Sequence, residues 1–461
     1  METDPRFFER LRDLFGEDRV LTGEQISEDY SHDELSEARA YPDALVKVKN
    51  ADEAVAAVRL CNEFLVPLVA RGAGTGLCGG AVAFGGLLLD FSEMNSVLEL
   101  DKDNLCVTVE PGVLLMDLTE YVESRGFFYP PDPGEKTATI AGNISTNAGG
   151  MRAVKYGVTR DYVREIEVIT GSGERLTLGG RVAKNASGYA LKDLVIGSEG
   201  TLALILSATL RLLPLPEVAV SLLIPFDDIT GAIETVPKLM RSKCAPTAVE
   251  FFERSVLLYA EDYLGKKFPD TKSAAYLLLT FDGQTEEEVE REYTEAANLC
   301  IESGAIDAFI VDTAERRNAV WTARGAFLEA IKASAGGVDE CDVVVPRSKV
   351  AQFILYSHEV EKELDIRVTS FGHAGDGNLH IYVCRDDKPE AEFRLKLDEA
   401  FKLLYEKAEA FGGKVSGEHG IGVAKKDRFL LQEPAASVGI MRSIKAAFDK
   451  NNILNPGKIF D

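Results

Sequence analysis

The chain has 461 residues with 46% hydrophobic content, which predicts two or three domains with packed cores and excludes a largely disordered protein. Lys+Arg 51 against Asp+Glu 75 leave a net charge of −24, which excludes nucleic acid and anionic lipid surfaces as partners and requires a local basic group to capture an anionic substrate. Seven cysteines, odd in number and without a CxxC pair, exclude a disulfide framework or a cysteine-ligated iron–sulfur cluster.

The opening Met1-Glu-Thr-Asp-Pro-Arg lacks the basic and apolar regions of an export signal. Further on, Ala44-Leu-Val-Lys-Val reads as a strand and Asn50-Ala-Asp-Glu as a helix start, with Asn50 the N-cap and acids in the first turn. Val55, Val58 and Phe64 fall near one helical face, and Pro67-Leu-Val-Ala returns as a strand. Leu87-Leu-Leu-Asp, Cys106-Val-Thr-Val, Ile166-Glu-Val-Ile and Thr201-Leu-Ala-Leu-Ile are further short strands between glycine-rich loops. The most apolar stretch, Leu191 to Leu213, is broken by Lys192, Asp193, Glu199 and Arg211, so no membrane span is expected and the chain reads as cytoplasmic.

Leu213-Pro-Leu-Pro marks a boundary, because proline interrupts helices and sheet ladders alike. Beyond it, strands such as Val218-Ala-Val-Ser-Leu-Leu-Ile and Tyr276-Leu-Leu-Leu-Thr-Phe alternate with amphipathic patterns such as Gln284 to Ser303. The expectation is an α+β protein of two lobes, 1–214 and 215–425, with a C-terminal segment at 426–461.

Two loops carry chemistry in the first lobe. Gly74-x-Gly76-x-x-Gly79 matches a dinucleotide fingerprint formally, but Ala81-Val-Ala-Phe-Gly-Gly-Leu reads as turn and strand where a Rossmann site needs a helix. A run of backbone N–H groups there still makes an anion-binding nest, although a tight turn with no ligand explains that loop alone equally well. From Tyr129, rigid prolines (Pro130, Pro131, Pro133) are followed by a dense set of small hydrogen-bonding residues through Gly150, a combination few structural needs explain.

Arg71-Gly72-Ala73-Gly74-Thr75-Gly76 with Gly79 and Gly80, Gly142-Asn143-Ile-Ser145-Thr146-Asn-Ala-Gly149-Gly150, Gly197-Ser-Glu-Gly200-Thr-Leu and Asn455-Pro-Gly-Lys458 together resemble the FAD-binding domain of the vanillyl-alcohol oxidase and para-cresol methylhydroxylase superfamily. The resemblance implies that the first two loops, with Pro131 and Asp132, embrace the pyrophosphate and ribityl chain. It also implies that the strand after Gly200, including Ile205, borders the adenine and that Asn455 returns to the flavin. Ala203 departs from the glycine usual there. With no histidine in the glycine loops, FAD is expected to be noncovalent.

Three of the five histidines sit in Gly372-His-Ala-Gly-Asp-Gly-Asn-Leu-His380 and Ser416-Gly-Glu-His-Gly-Ile-Gly422. Two imidazoles and a carboxylate are a common set for Zn²⁺ or Fe²⁺, and three protein ligands leave room for substrate. His373, His380 and Glu418 are the candidate ligands, and His419, unable to share the metal easily with its neighbour, is the candidate base. Asp376 and Asn378 read as turn residues or as supports of the ligands, and His32 and His358 as ordinary surface residues.

These segments resemble the D-lactate and glycolate dehydrogenase branch of the same superfamily, which includes D-2-hydroxyglutarate dehydrogenases. The resemblance implies the same metal set (zinc or iron, with manganese as a further option), His419 as base and Arg324 as clamp for the substrate carboxylate; as a residue alone, Arg324 reads equally as a helix-surface charge. Leu328 and Glu340 fall where 2-hydroxyglutarate enzymes tend to carry Thr and Lys, which favours a monocarboxylate such as D-lactate and leaves glycolate and longer aliphatic 2-hydroxy acids open. Gly149 to Asp161 and Glu340 to Arg347 are similar to lactate dehydrogenases of anaerobic bacteria that partner electron-transferring flavoprotein. A quinone or a soluble dye-like acceptor is the competing re-oxidant. A non-catalytic flavin subunit leaves the histidines unexplained, and a flavin-free metallohydrolase leaves the glycine loops unexplained.

Overall fold

The computed structural model describes residues 3–35, 37–268, 270, 272–311 and 313–460, with the backbone alone for 314–319. The chain forms two compact units: 1–149 with 158–215 and 418–461, and 150–157 with 216–417. Glu418 and His419, expected with the second lobe, therefore lie in the first unit. Among the described residues no helix is long and apolar enough to cross a membrane.

In the first unit, Ala44–Lys47, Leu87–Asp90 and Leu68–Arg71 are parallel neighbours, joined at one edge by the antiparallel Val20–Leu21. The helix between the first and third of these in the chain, Ala51–Phe64, begins where the sequence puts it: the Asn50 side chain accepts from the Glu53 amide at 3.0 Å, with Asp52 and Glu53 in the first turn. It buries Val55, Val58 and Leu60 against a core shared with Phe7 and Leu11 of the helix Pro5–Phe15 and with Ile453 and Leu454 near the C-terminus. A second, five-stranded antiparallel sheet runs Val97–Asp101, Cys106–Val109, Ala203–Arg211, Val163–Thr170 and Arg175–Gly179. No helix follows Gly79 before the strand at Leu87, so this loop is not a Rossmann turn.

The second unit is built on a seven-stranded, wholly antiparallel sheet in the order Phe309–Val311, Val218–Phe226, Ala275–Gly283, Ala248–Glu253, Arg367–His373, Asn378–Arg385, Gly337–Val344. Phe252, Phe371 and Tyr382 share one face with residues of the helices Arg254–Leu264 and Phe327–Ala333 in a continuous apolar core. Helices Ile229–Arg241, Glu286–Glu302, Val350–Leu364 and Glu390–Ala410 pack on the sheet as well. The short excursion 150–157 is tied to this unit by Lys155, whose Nζ donates to the Asp282 carbonyl at 2.8 Å and carboxylate at 2.6 Å, and by the Tyr156 hydroxyl on the same carboxylate at 2.8 Å.

His358 is not an ordinary surface residue. Its Nε2 lies 3.2 Å from Glu253 and its Nδ1 3.3 Å from Glu361, and Glu253 also accepts from the Ser370 hydroxyl at 2.5 Å. These carboxylates raise its pKa from the ordinary 6.5 to about 10. Because the folded state binds this proton more tightly, the stabilisation is complete below about pH 6.5 and is lost as pH rises toward about 10. Thermal unfolding followed from pH 7 to pH 10 should show His358→Gln destabilised most at the low end, the gap to wild type narrowing at the high end; a gap that does not vary with pH would contradict the ion-pair account.

Candidate functional site

The first unit holds a cleft walled by residues 71–78 and 80, by 141–143, 145, 146, 148 and 149, by 199, 200 and 203–205, and by Glu418 and His419. Its empty space, open mouth included, is about 1320 Å³. The expected cofactor residues Arg71 to Gly76, Gly80, Gly142, Asn143, Ser145, Thr146, Gly149, Gly200 and Ile205 are thus brought to one cavity. Ala203 lines it as well.

The loop geometry explains the glycines. A Cβ on Gly72 would collide with Thr139 Oγ1, and that oxygen caps the helix Ile140–Thr146 by accepting from the Gly142 amide at 3.2 Å. Gly149 packs against the Glu418 side chain, where a Cβ would stand 2.9 Å from Oε2. Arg71 is nearly buried and donates to the Asp29 and His32 carbonyls, each at 2.8 Å, so it braces the loop from beneath.

Other expected residues stand behind the cleft. Asn455 donates to the Gly80 and Glu199 carbonyls at 2.9 and 2.8 Å, fastening the C-terminal segment to two of the walls. Gly79, at φ +74°, makes room for Val423. Pro131 and Asp132 are buried beside the wall, where Asp132 accepts from the Gly134 amide at 3.3 Å, and Gly150 belongs to the second unit.

Glu199 escaped the sequence reading. It holds a left-handed backbone, φ 53°, and its two carboxylate oxygens accept from the Ile421 and Gly422 amides at 2.7 Å each. Burial pushes its carboxyl above the ordinary value although the two amides favour the anion. With the Val423 amide on the Cys78 carbonyl at 2.8 Å, this contact fixes the loop that carries His419 at the cleft. His419 Nε2 is 3.8 Å from Glu418 Oε1.

In the second unit, a hairpin brings His373 and His380 together. His373 ends the strand Arg367–His373 opposite Asn378, and His380, two residues on, projects from the same face. The ring centroids are 5.3 Å apart, nearly perpendicular at 84°. His373 Nδ1 is 2.6 Å from Glu250 and His380 Nδ1 is 2.8 Å from Glu340. With each Nδ1 proton committed to a carboxylate, Nε2 carries the lone pair, the tautomer that metal-bound histidines use; the donor chemistry fits a divalent metal. Asp376 makes the turn by accepting from the Asn378 amide at 3.1 Å, and Asn378 is buried with its amide on Asp342 and Val343.

Arg324 is not a surface charge. It is 8% exposed, stacks 4.6 Å from the Phe371 ring, and places Nε and Nη2 at 2.8 and 2.6 Å from Glu250 Oε2. Glu250 itself is fully buried, with a carboxyl pKa held below the ordinary range by His373 and Arg324 against the effect of burial. Glu340, expected opposite a second substrate carboxylate, orients His380, and Leu328 packs against the apolar core.

Residues 215–459 match the model of the C-terminal domain of FAD-linked oxidases, and residues 42–179 match an FAD-binding domain. The chain belongs to the FAD-linked oxidases. It is 47% identical to a D-lactate dehydrogenase of Anaerostipes hadrus, an alignment covering 99% of this chain and 97% of that protein. It is 40% identical to glycolate oxidase subunit GlcD of Bacillus subtilis, over 94% of this chain and 92% of that one. The structure of p-cresol methylhydroxylase with substrate bound superposes with a TM-score of 0.81 at 19% identity, covering 100% of this chain and 98% of that one, and shows the shared fold. This FAD-linked oxidase is a D-lactate dehydrogenase-like oxidoreductase with an FAD-binding first unit.

The packing of Gly72 on Thr139 predicts that Gly72→Ala displaces the cap and spoils the loop. The purified variant should carry much less flavin, read as absorbance at the flavin bands per chain; flavin at the wild-type ratio would show that the loop adapts.

Proposed function

We propose that this protein oxidises a small D-2-hydroxy acid, D-lactate to pyruvate as the leading case, with noncovalent FAD as hydride acceptor. The observation that carries the reading is the grouping of a buried arginine with two histidines whose Nδ1 atoms are both held by carboxylates. Relatives named for D-lactate, glycolate and D-2-hydroxyglutarate support the class of substrate. The engagement of Glu340 with His380 and of Leu328 with the core leaves neither residue suited to a second carboxylate, which favours a monocarboxylate; glycolate is the second substrate by the same argument.

In this reading His373, His380 and Glu418 hold a divalent metal, zinc, iron or manganese. Such a metal acidifies a bound hydroxyl, as it lowers the pKa of water from about 15.7 to about 7 in favourable sites. His419 takes the hydroxyl proton. Arg324 offers Nη1 and the outer Nη2 hydrogen to the substrate carboxylate and fixes the direction of the α-hydrogen. We further propose electron-transferring flavoprotein as the acceptor and the cytoplasm as the compartment; all seven cysteines are buried and stand outside any disulfide, as a reducing compartment permits.

Anaerobic stopped-flow reduction by D-lactate isolates these steps from re-oxidation. His419→Ala should retain FAD and metal and reduce its flavin about 10²- to 10⁴-fold more slowly, and chelation should abolish reduction with FAD still bound. A wild-type rate in the variant would place the base elsewhere, and full activity in verified metal-free protein would remove the metal from the reaction.

A further inference from the structure

Glu250 occupies a position that neither the family match nor the proposed reaction assigns. It sits third in the six-residue strand Ala248–Glu253, every residue of which is buried, and pairs across the ladder with His373. Its two oxygens serve different partners: Oε1 meets His373 Nδ1 at 2.6 Å, and Oε2 meets Arg324 Nε and Nη2 at 2.8 and 2.6 Å. Neither partner can be satisfied elsewhere on this carboxylate without leaving the other. The Arg324 guanidinium is further confined by Phe371, which lies on the same strand as His373 and two residues before it.

We propose that Glu250 is a shared positioning residue that fixes a metal-binding imidazole with one oxygen and the substrate-carboxylate arginine with the other. The inference rests on reading His373 as a metal ligand and Arg324 as the clamp. Its physical content is that the two subsites have one common anchor. Rotation of the carboxylate that improves one contact degrades the other, so the metal ligand and the anion clamp are set in a single geometry. Both partners present N–H donors to Glu250. A glutamine there is neutral, so it loses the charge that strengthens both contacts, and it turns its own NH₂ toward one of the two donors; Glu250→Gln therefore weakens both while keeping size and shape.

The test compares three variants of the FAD-loaded, full-length protein, with flavin content as the control for folding. Metal affinity is measured by titrating metal-free protein with Zn²⁺ or Mn²⁺, and KM for D-lactate is measured at saturating metal. Glu250→Gln should weaken metal binding by about 10- to 100-fold, the usual effect of losing a ligand's supporting carboxylate, and should also raise KM at saturating metal. Glu340→Gln, which changes the carboxylate beside His380 and leaves Glu250 and Arg324 in place, should weaken the metal and regain the wild-type KM once metal is saturating. Arg324→Lys should raise KM and leave metal affinity within about twofold of wild type, since it spares the imidazole. If Glu250→Gln does not fold, Glu250→Asp, which draws the carboxylate back from both partners, should move both quantities in the same directions. Wild-type metal affinity, or wild-type KM at saturating metal, in the variant of Glu250 that folds would overturn the inference. A wild-type protein that turns over D-lactate without binding metal would instead overturn the proposed function, and the inference with it.

Discussion

A carboxylate removed from water must be paid for by partners of opposite character, and Glu250 has no exposed surface at all. Its partners are therefore not optional contacts. They are an arginine that would otherwise be an uncompensated buried charge and an imidazole whose tautomer is otherwise undetermined. The second unit is arranged to make this grouping possible: an antiparallel sheet aligns Glu250 across from His373, a tight hairpin returns His380 to the same face, and a helix ending at Gly325 delivers Arg324 from outside the sheet. Removing any one member leaves a buried group unsatisfied, at a cost of several kcal/mol by the usual behaviour of such pairs.

The first unit solves a different problem with glycine and backbone. Its cleft is walled largely by glycine and other small residues, whose bare backbone allows a ligand to approach closely. The order of those loops comes from behind: Arg71 on the Asp29 and His32 carbonyls, Asn455 on two loop carbonyls, and Glu199 on the amides after His419. Glu199 plays for the backbone of one loop the part Glu250 plays for two side chains. In both cases a buried anion is compensated by N–H donors and in return fixes their direction.

The sequence made the architecture and the outer ring of the site legible because those features depend on local signals. Asn50 as N-cap, the proline boundary near residue 214, the glycine loops and the pair of histidines across a turn are all written within short windows. Glu199, Glu250 and Glu340 were missed as supports because their partners lie far away in the chain: 74 residues separate Glu250 from Arg324, and 222 separate Glu199 from Ile421. One clue was available. An acid between Val249 and Phe251, inside a strand otherwise fit for full burial, needs a partner. His358 was misjudged for a related reason, since only the fold shows Glu253 beside it.

Flavin reduction by the substrate itself tests the assignment of a small D-2-hydroxy acid most directly. Purified protein mixed anaerobically with D-lactate should lose its oxidised-flavin absorbance and yield one pyruvate per flavin, while L-lactate should leave the flavin oxidised over the same interval. An FAD-loaded, metal-replete protein whose flavin stays oxidised with D-lactate and with glycolate would contradict the assignment of a small D-2-hydroxy acid as substrate.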